Sequence, residues 1–227
     1  MKGGHRVKFY AVIGDIVSSR HISDREETQQ FLNQTLEDIN QMYQEVIVSN
    51  FTITLGDEFQ GLLKSGEHLL EIVDRIRFAL DPIAVRFGIG VGTMATSIKK
   101  EVSIGADGPA YWHARDAIKA VHEIADVAKC RIAVSVGYSS TVIDLVNETL
   151  QLSDYIESKW VTSQRAFVRK RLLETGYDLT VPQVEIARID KSTPQKVNAK
   201  IKSTGYYQFI STRLAIEKTL TEFELEG

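Results

Sequence analysis

The sequence predicts an α+β protein: a ferredoxin-like, antiparallel-rich sheet with helices on one face over residues 1–145, then a small all-α domain over residues 150–227. Two observations predict it. Strand and helix periodicities alternate through the first 140 residues in the order β-α-β-β-α-β-α-β, whose opening is a split βαβ unit. Strand signals then stop, and short helical segments separated by Gly176, Pro182, Pro194 and Gly205 follow. Charge divides along the same line, with a balance of −5 over residues 1–150 and +5 over 151–213.

Taken in order, Val7, Phe9, Ala11 and Ile13 alternate along a first strand that ends at Gly14-Asp15. Ser23 with Glu26 reads as a capping box for a helix whose apolar positions run from Phe31 to Val46. Phe51, Ile53 and Leu55 mark a second strand, Gly56-Asp57 a hairpin turn, and Phe59–Leu63 the returning strand. Leu69, Leu70, Ile72, Val73 and Ile76 repeat at helical spacing. A strand follows over Ile83–Val91. Asp107 reads as the N-cap of a third helix, with Pro109 in its first turn. Ala110, Ala114, Ala117, Ile118 and Val121 form that helix's apolar side, and a last strand covers Arg131–Val136. Helices are predicted over roughly 152–159, 163–174, 182–189, 194–203 and 209–220.

Cys130 is the only cysteine, which excludes an internal disulfide and fits a reducing, cytoplasmic setting. No apolar run reaches the roughly 18–20 residues of a membrane span. The first residues lack the pattern of a signal peptide.

Two carboxylates stand out. Asp15 ends the first strand and Asp57 lies in the hairpin, and in a ferredoxin-like sheet these elements are neighbours. Two hard oxygen ligands, the Ile16 carbonyl and phosphate oxygens would suit Mg²⁺, or Mn²⁺. Glu58 adds a third carboxylate. Val17, Ser18 and Ser19 lead towards the first helix and could receive phosphates through backbone N–H groups and hydroxyls. Asp57 is equally an ordinary turn residue. Gly88, Gly90 and Gly92 alternate on one strand face, which leaves either an open ligand floor or a seat for a close helix. Arg115 is placed either to hold phosphates and a developing charge or simply to face solvent.

Gly14-Asp15-Ile16-Val17, Thr54-Leu55-Gly56-Asp57-Glu58-Phe59, Arg86–Gly92 and Ala114-Arg115 resemble, in order and spacing, the motifs of class III nucleotide cyclases, and Gly56–Phe59 also resembles the diguanylate cyclase signature. The SatD family is the nearest resemblance, sharing Gly-Asp-Ile-Val, Gly-Asp-Glu-Phe-Gln and Asp-Gly-Pro-Ala and a C-terminal helical module. The resemblance implies a cyclase-like palm that binds a nucleoside triphosphate, with Asp15 and Asp57 as metal-binding catalytic aspartates and Arg115 supporting the transferring phosphates. Cyclase-type sites often form between two subunits, so it also implies a homodimer. Ile53 stands where purine cyclases place a base-reading lysine, Tyr111 where they have an asparagine, and Leu55 where the diguanylate signature has its first glycine. Nucleotide binding is therefore better supported than cyclisation or nucleotidyl transfer.

Residues 183–202 have a helix-turn-helix pattern. Ile186, Ile189, Val197 and Ile201 would form its core around Ala187, and Lys191 occupies the turn position where glycine is common. Gln195, Lys196, Asn198, Ala199, Lys200 and Lys202 would face outward and could contact DNA, with Arg165, Arg169, Lys170 and Arg171 bracing the backbone. A protein-interaction or dimerising scaffold with solvated lysines fits the same residues. Trp112 and Trp160 are expected in the core or between domains.

Overall fold

The computed structural model describes residues 7–17, 24–128 and 130–225. Strand β1 (Phe9–Ile16) is central and pairs antiparallel with β3 (Glu58–Leu63) on one side and β4 (Val85–Gly92) on the other. Outside β3 lies β2 (Ile47–Leu55), antiparallel and with an irregular register; outside β4 lies β5 (Ile132–Ser135), parallel. The order β2-β3-β1-β4-β5 is the ferredoxin-like sheet with one added strand.

Helices cover both faces of the sheet, not one. The alternation of β1 explains why. Tyr10, Val12 and Ile16 face the large core that includes α1 (Arg25–Met42) and α2 (Leu69–Ala79). Phe9, Ala11 and Ile13 face a second cluster with Ala110, Tyr111, Ala114 and Ile118 of α3 (Pro109–Ala128). A strand apolar on both sides asks for cover on both sides.

Two caps differ from expectation. Asp24 caps α1 by accepting the Glu27 N–H at 3.0 Å, while Ser23 lies outside the described residues. Gly108 precedes α3 and its carbonyl accepts the Trp112 N–H at 3.0 Å; the Asp107 carboxylate instead takes the Trp112 indole N–H at 2.7 Å. Trp112 is half exposed on α3 rather than in a core.

The C-terminal part comprises α4 (Thr141–Ser158), α5 (Thr162–Thr175), α6 (Gln183–Ile189), α7 (Pro194–Thr204) and α8 (Tyr206–Glu222). The boundary expected between 145 and 150 falls inside α4, because α4 starts at Thr141, eleven residues before its expected helix, and packs on β5. One hydrophobic core runs from Tyr10 to Leu220. The centre of that continuity is α2, whose residues Leu69–Phe78 are all buried. Its apolar side faces the sheet, and its charged side meets α4, α5 and α8. Arg77 reaches Asp154 at 3.1 Å and Glu157 at 2.6 Å, and lies 3.0 Å from Asp74. Arg213 of α8 reaches Asp74 at 3.2 Å and Asp154 at 3.4 Å. Tyr177 donates to Asp74 at 2.6 Å. Burial opposes the Arg77 charge, yet Glu157, Asp74 and Asp154 outweigh it and its pKa is raised. Trp160 completes the junction, as expected, stacking on Phe78 at 6.4 Å and donating to the Thr204 carbonyl.

Glu217 of α8 caps α2, one carboxyl oxygen accepting the Leu70 N–H at 2.8 Å and the Glu71 N–H at 2.9 Å. Burial, with Glu71 and Asp74 nearby, pushes its pKa from the ordinary 4.5 to about 8, although the two amide bonds pull the other way. Between those values the folded chain holds a proton that the unfolded chain has released. The stability from this group is therefore present below the unfolded pKa and lost as pH rises towards the folded one. Urea titrations from pH 5 to 8 should show wild-type stability falling relative to Glu217→Gln, which keeps an acceptor oxygen; parallel pH profiles would contradict the assignment.

Candidate functional site

The candidate site lies where β1 ends beside the β2–β3 turn. The Ile16 N–H donates to the Asp57 carbonyl at 3.3 Å, which ties the hairpin tip to the end of β1. Gly14 is required here, because a Cβ at that position would enter the Phe59 ring. The sheet thus brings Asp15 and Asp57 to one edge, as the sequence predicts, but their side chains serve different surroundings.

Asp15 lies across from Glu58 and Arg86 in the ladders, on the α3 side of the sheet. Its carboxylate receives both arms of Arg86, at 3.1 and 2.9 Å, and Nε2 of His122 lies 2.9 Å away. This bidentate pair with an imidazole uses the lone pairs a metal would need. Sequence reasoning did not single out His122, although it follows Ala114 and Ile118 at four-residue spacing on the side of α3 that faces the sheet. Glu58 accepts a hydrogen bond from Thr54 at 3.2 Å.

Asp57 instead lines a cavity of about 410 Å³ with Ile16, Gly56 and the first turns of α1, including Arg25, Glu26 and Gln29. Gln29 fixes the tip from the other side, donating to the Gly56 carbonyl at 3.0 Å. Among the described residues no group of three or more His, Cys, Asp or Glu side chains is placed to hold a metal ion. The donors present do not make a preformed two-aspartate centre.

Other expected site residues are displaced from this role. The Val17 N–H is spent on the Ala84 carbonyl at 2.8 Å, so it does not offer itself to a phosphate. Ser18 and Ser19 lie outside the described residues. Gly88 and Gly90 are no ligand floor: a Cβ on Gly88 would strike Ile118 and the Ala114 carbonyl, and one on Gly90 would strike Ala114 and the Ala110 carbonyl. The glycine row is the seat on which α3 packs. Arg115 is exposed on α3 beside Tyr111, whose hydroxyl is buried without a hydrogen-bond partner. It stands seven residues from His122, about 10 Å along the helix, and does not line the α1 cavity.

Helices α6 and α7 follow one another and pack together over the span for which a helix-turn-helix is expected. Ile186, Ala187, Val197 and Ile201 are buried, Ile189 is half-buried, and Lys191 takes a φ of 46° in the turn. On α7, Gln195, Lys196, Ala199 and Lys202 are exposed, Asn198 and Lys200 half-buried, and Lys200 lies 5.4 Å over the Phe167 ring. The basic cluster on α5 does not form an outward surface. Arg165 binds Asp81 and Glu157, Arg169 the Phe78 carbonyl, Lys170 Asp190, and Arg171 is buried against Tyr206. No helix among the described residues is long and apolar enough to cross a membrane.

A family model described as the SatD family matches residues 9–220. No curated protein matches the sequence. Among solved structures, the catalytic core of a rhodopsin-guanylyl cyclase with converted specificity in complex with ATPαS is similar at a TM-score of 0.39 and 14% identity, over 50% of this chain and 72% of that chain. A guanylate cyclase domain from Catenaria anguillulae in complex with GTP gives 0.37 and 13%, over 51% and 73%. A bacterial light-regulated adenylyl cyclase gives 0.40 and 13%, over 58% and 77%.

The glycine row can be tested directly. Gly90→Ala should destabilise the fold by about 1–3 kcal/mol or more through forced separation of α3 from β4, read by urea denaturation. An unchanged midpoint would restore the open-floor reading.

Proposed function

The chain belongs to the SatD family, and we propose that it is a nucleotide-binding regulator whose palm sheet receives a nucleoside phosphate at the head of α1. The observation that carries this reading is the cavity bounded by the end of β1, the hairpin turn and the first turns of α1. Arg25 supplies a cation there, and the helix N-terminus supplies the positive end of its dipole. Glu26 and Asp57 put two carboxylates on the same wall. Phosphates therefore enter together with a divalent cation, Mg²⁺ or Mn²⁺, which would neutralise their charge at Asp57 and the Ile16 carbonyl. Glu58 supports the turn through Thr54 rather than touching the nucleotide.

Binding is favoured over turnover by the state of Asp15. Metal-dependent cyclisation or nucleotidyl transfer with Asp15, Asp57 and Arg115 as catalytic residues would require Asp15 to leave Arg86 and His122, and would require Arg115 to act on another copy in a homodimer. As a binding protein, the chain uses the Asp15 pairs to hold β1, β4 and α3 together beside the cavity.

A DNA-binding output has its own support. On α7, Gln195, Lys196, Ala199 and Lys202 face solvent, with Asn198 and Lys200 at the edge, on a helix of 11 residues preceded by a left-handed turn. In the proposed output these side chains meet the major groove and its flanking phosphates. Because the α5 cations are engaged internally, the electrostatic contribution comes from α7 and its turn, and the salt dependence is shallow.

Thermal melting with each nucleoside triphosphate and Mg²⁺ tests the reading, since a ligand at a thousand times its Kd stabilises by about 4.1 kcal/mol. At least one triphosphate should raise the melting temperature of wild type, with the shift removed by EDTA, Asp57→Ala or Arg25→Ala. That same complex should bind duplex DNA more tightly than the Lys196→Ala/Lys202→Ala variant. No shift with any triphosphate, or an equal shift in Asp57→Ala, would contradict it.

A further inference from the structure

Helix α4 is apolar on two sides. Ile143, Val146 and Leu150 are buried in the main core with Ile132 and Val134 of β5. Val142, Leu145, Leu152, Tyr155 and Ile156 stay exposed, Leu145 by 68% and Leu152 by 61%. Together these side chains expose roughly 500 Å², near the top of the range for a monomer, and a patch of that kind marks an interaction surface.

The spacing identifies the kind of partner. Val142, Leu145, Thr149, Leu152 and Ile156 advance by three and four residues alternately. That is the period of a seam between two helices that cross at a shallow angle. Thr149 is the polar member of the row. It is half-buried and its hydroxyl already donates to the Leu145 carbonyl at 2.7 Å, so covering it strands no donor.

Charge identifies the partner helix as a second α4. Asp144 and Glu148 are exposed beside the first half of the row, and Lys159, 4.5 Å over the Tyr155 ring, follows its C-terminal end. Two copies running in the same direction would set acid against acid. Antiparallel about a two-fold axis, Leu145 of one copy meets Ile156 of the other, Thr149 meets Leu152, and Lys159 comes to Asp144. The helix dipoles then also oppose one another favourably. Both copies together cover roughly 1,000 Å² of these side chains, the lower limit for a specific interface. The acidic flank disfavours an anionic membrane surface. This contact is separate from one that joins copies through Arg115, because α3 packs through Ala117 and Val121 on the opposite face of the sheet, with Ala133.

We propose that α4 is a self-association surface through which two copies of this chain pair antiparallel as a two-fold dimer.

Sedimentation equilibrium of the full chain over about 1–200 μM tests the proposal, since an interface of this size gives micromolar association. No nucleotide or metal is present in the measurement, so its outcome is independent of the nucleotide reading. Wild type should follow a reversible monomer–dimer equilibrium. Leu152→Glu should raise the dissociation constant at least about tenfold, by placing an unpaired carboxylate in the seam. If that variant fails to melt cooperatively, the charge pair decides. Asp144→Lys and Lys159→Glu should each weaken dimerisation, and the Asp144→Lys/Lys159→Glu double variant should recover the wild-type constant. A monomer throughout the range, wild-type association in Leu152→Glu, or no recovery in the double variant would each overturn the proposal. So would binding of wild type to phosphatidylglycerol vesicles that Leu152→Glu abolishes.

Discussion

The fold depends on a set of charges buried on the outer side of α2. Asp74 and Arg77 of that helix, Asp154 and Glu157 of α4, and Arg213 of α8 form a connected ionic group with side chains at most 4% exposed. Taking such charges out of water costs several kcal/mol per ion, and the cost is offset only when partners and hydrogen bonds are placed well. The Tyr177 hydroxyl and the Arg131 backbone N–H add hydrogen bonds to the group, while Nε of Arg77 and Nη1 of Arg213 are buried without one. The group gives little net stability over an apolar equivalent, but it fixes how α4 and α8 meet α2. Any sliding of these helices would leave an uncompensated charge.

This constraint makes the C-terminal helices part of the palm's own core instead of a tethered module. The sheet covers the inner side of α2, and α4, α5 and α8 cover its outer side. It follows that the cavity at the head of α1 sits on an element that shares the same packing. On the other face of the sheet the constraint is steric: the row of Gly88, Gly90 and Gly92 allows α3 to approach the backbone of β4. That approach sets where His122 meets Asp15, which pairs with Arg86 through the β1–β4 register.

Much of the sheet is legible in the sequence because its signals are local. Period-two apolar runs, the Gly56-Asp57 turn and the alanine side of α3 depend on neighbours within a few residues. That the C-terminal helices share the core of the sheet is not legible for a definite reason. Asp74, Arg75 and Arg77 look like the solvent face of an amphipathic helix, and nothing nearby in sequence shows that Asp154, Glu157 and Arg213 will cover them. The Arg165–Arg171 cluster misleads in the same way, since its partners Asp81, Glu157 and Asp190 lie on other elements. At the site, the meeting of Asp15 and Asp57 at one edge follows from topology, whereas the direction of each carboxylate follows from strand alternation and from the register with Arg86. The glycine row was open to two readings, and only the position of α3 separates them.

The central claim is that the buried charges join palm and helices into one cooperative unit. Urea unfolding followed separately at Trp112 on α3 and Trp160 at the α5–α8 junction, in single-tryptophan variants with and without Arg213→Ala, tests it most directly. The account predicts coincident transitions at both tryptophans, and a loss of about 3–5 kcal/mol at both when Arg213 is removed from its carboxylates. A Trp112 transition that keeps its midpoint while Trp160 unfolds earlier would contradict it.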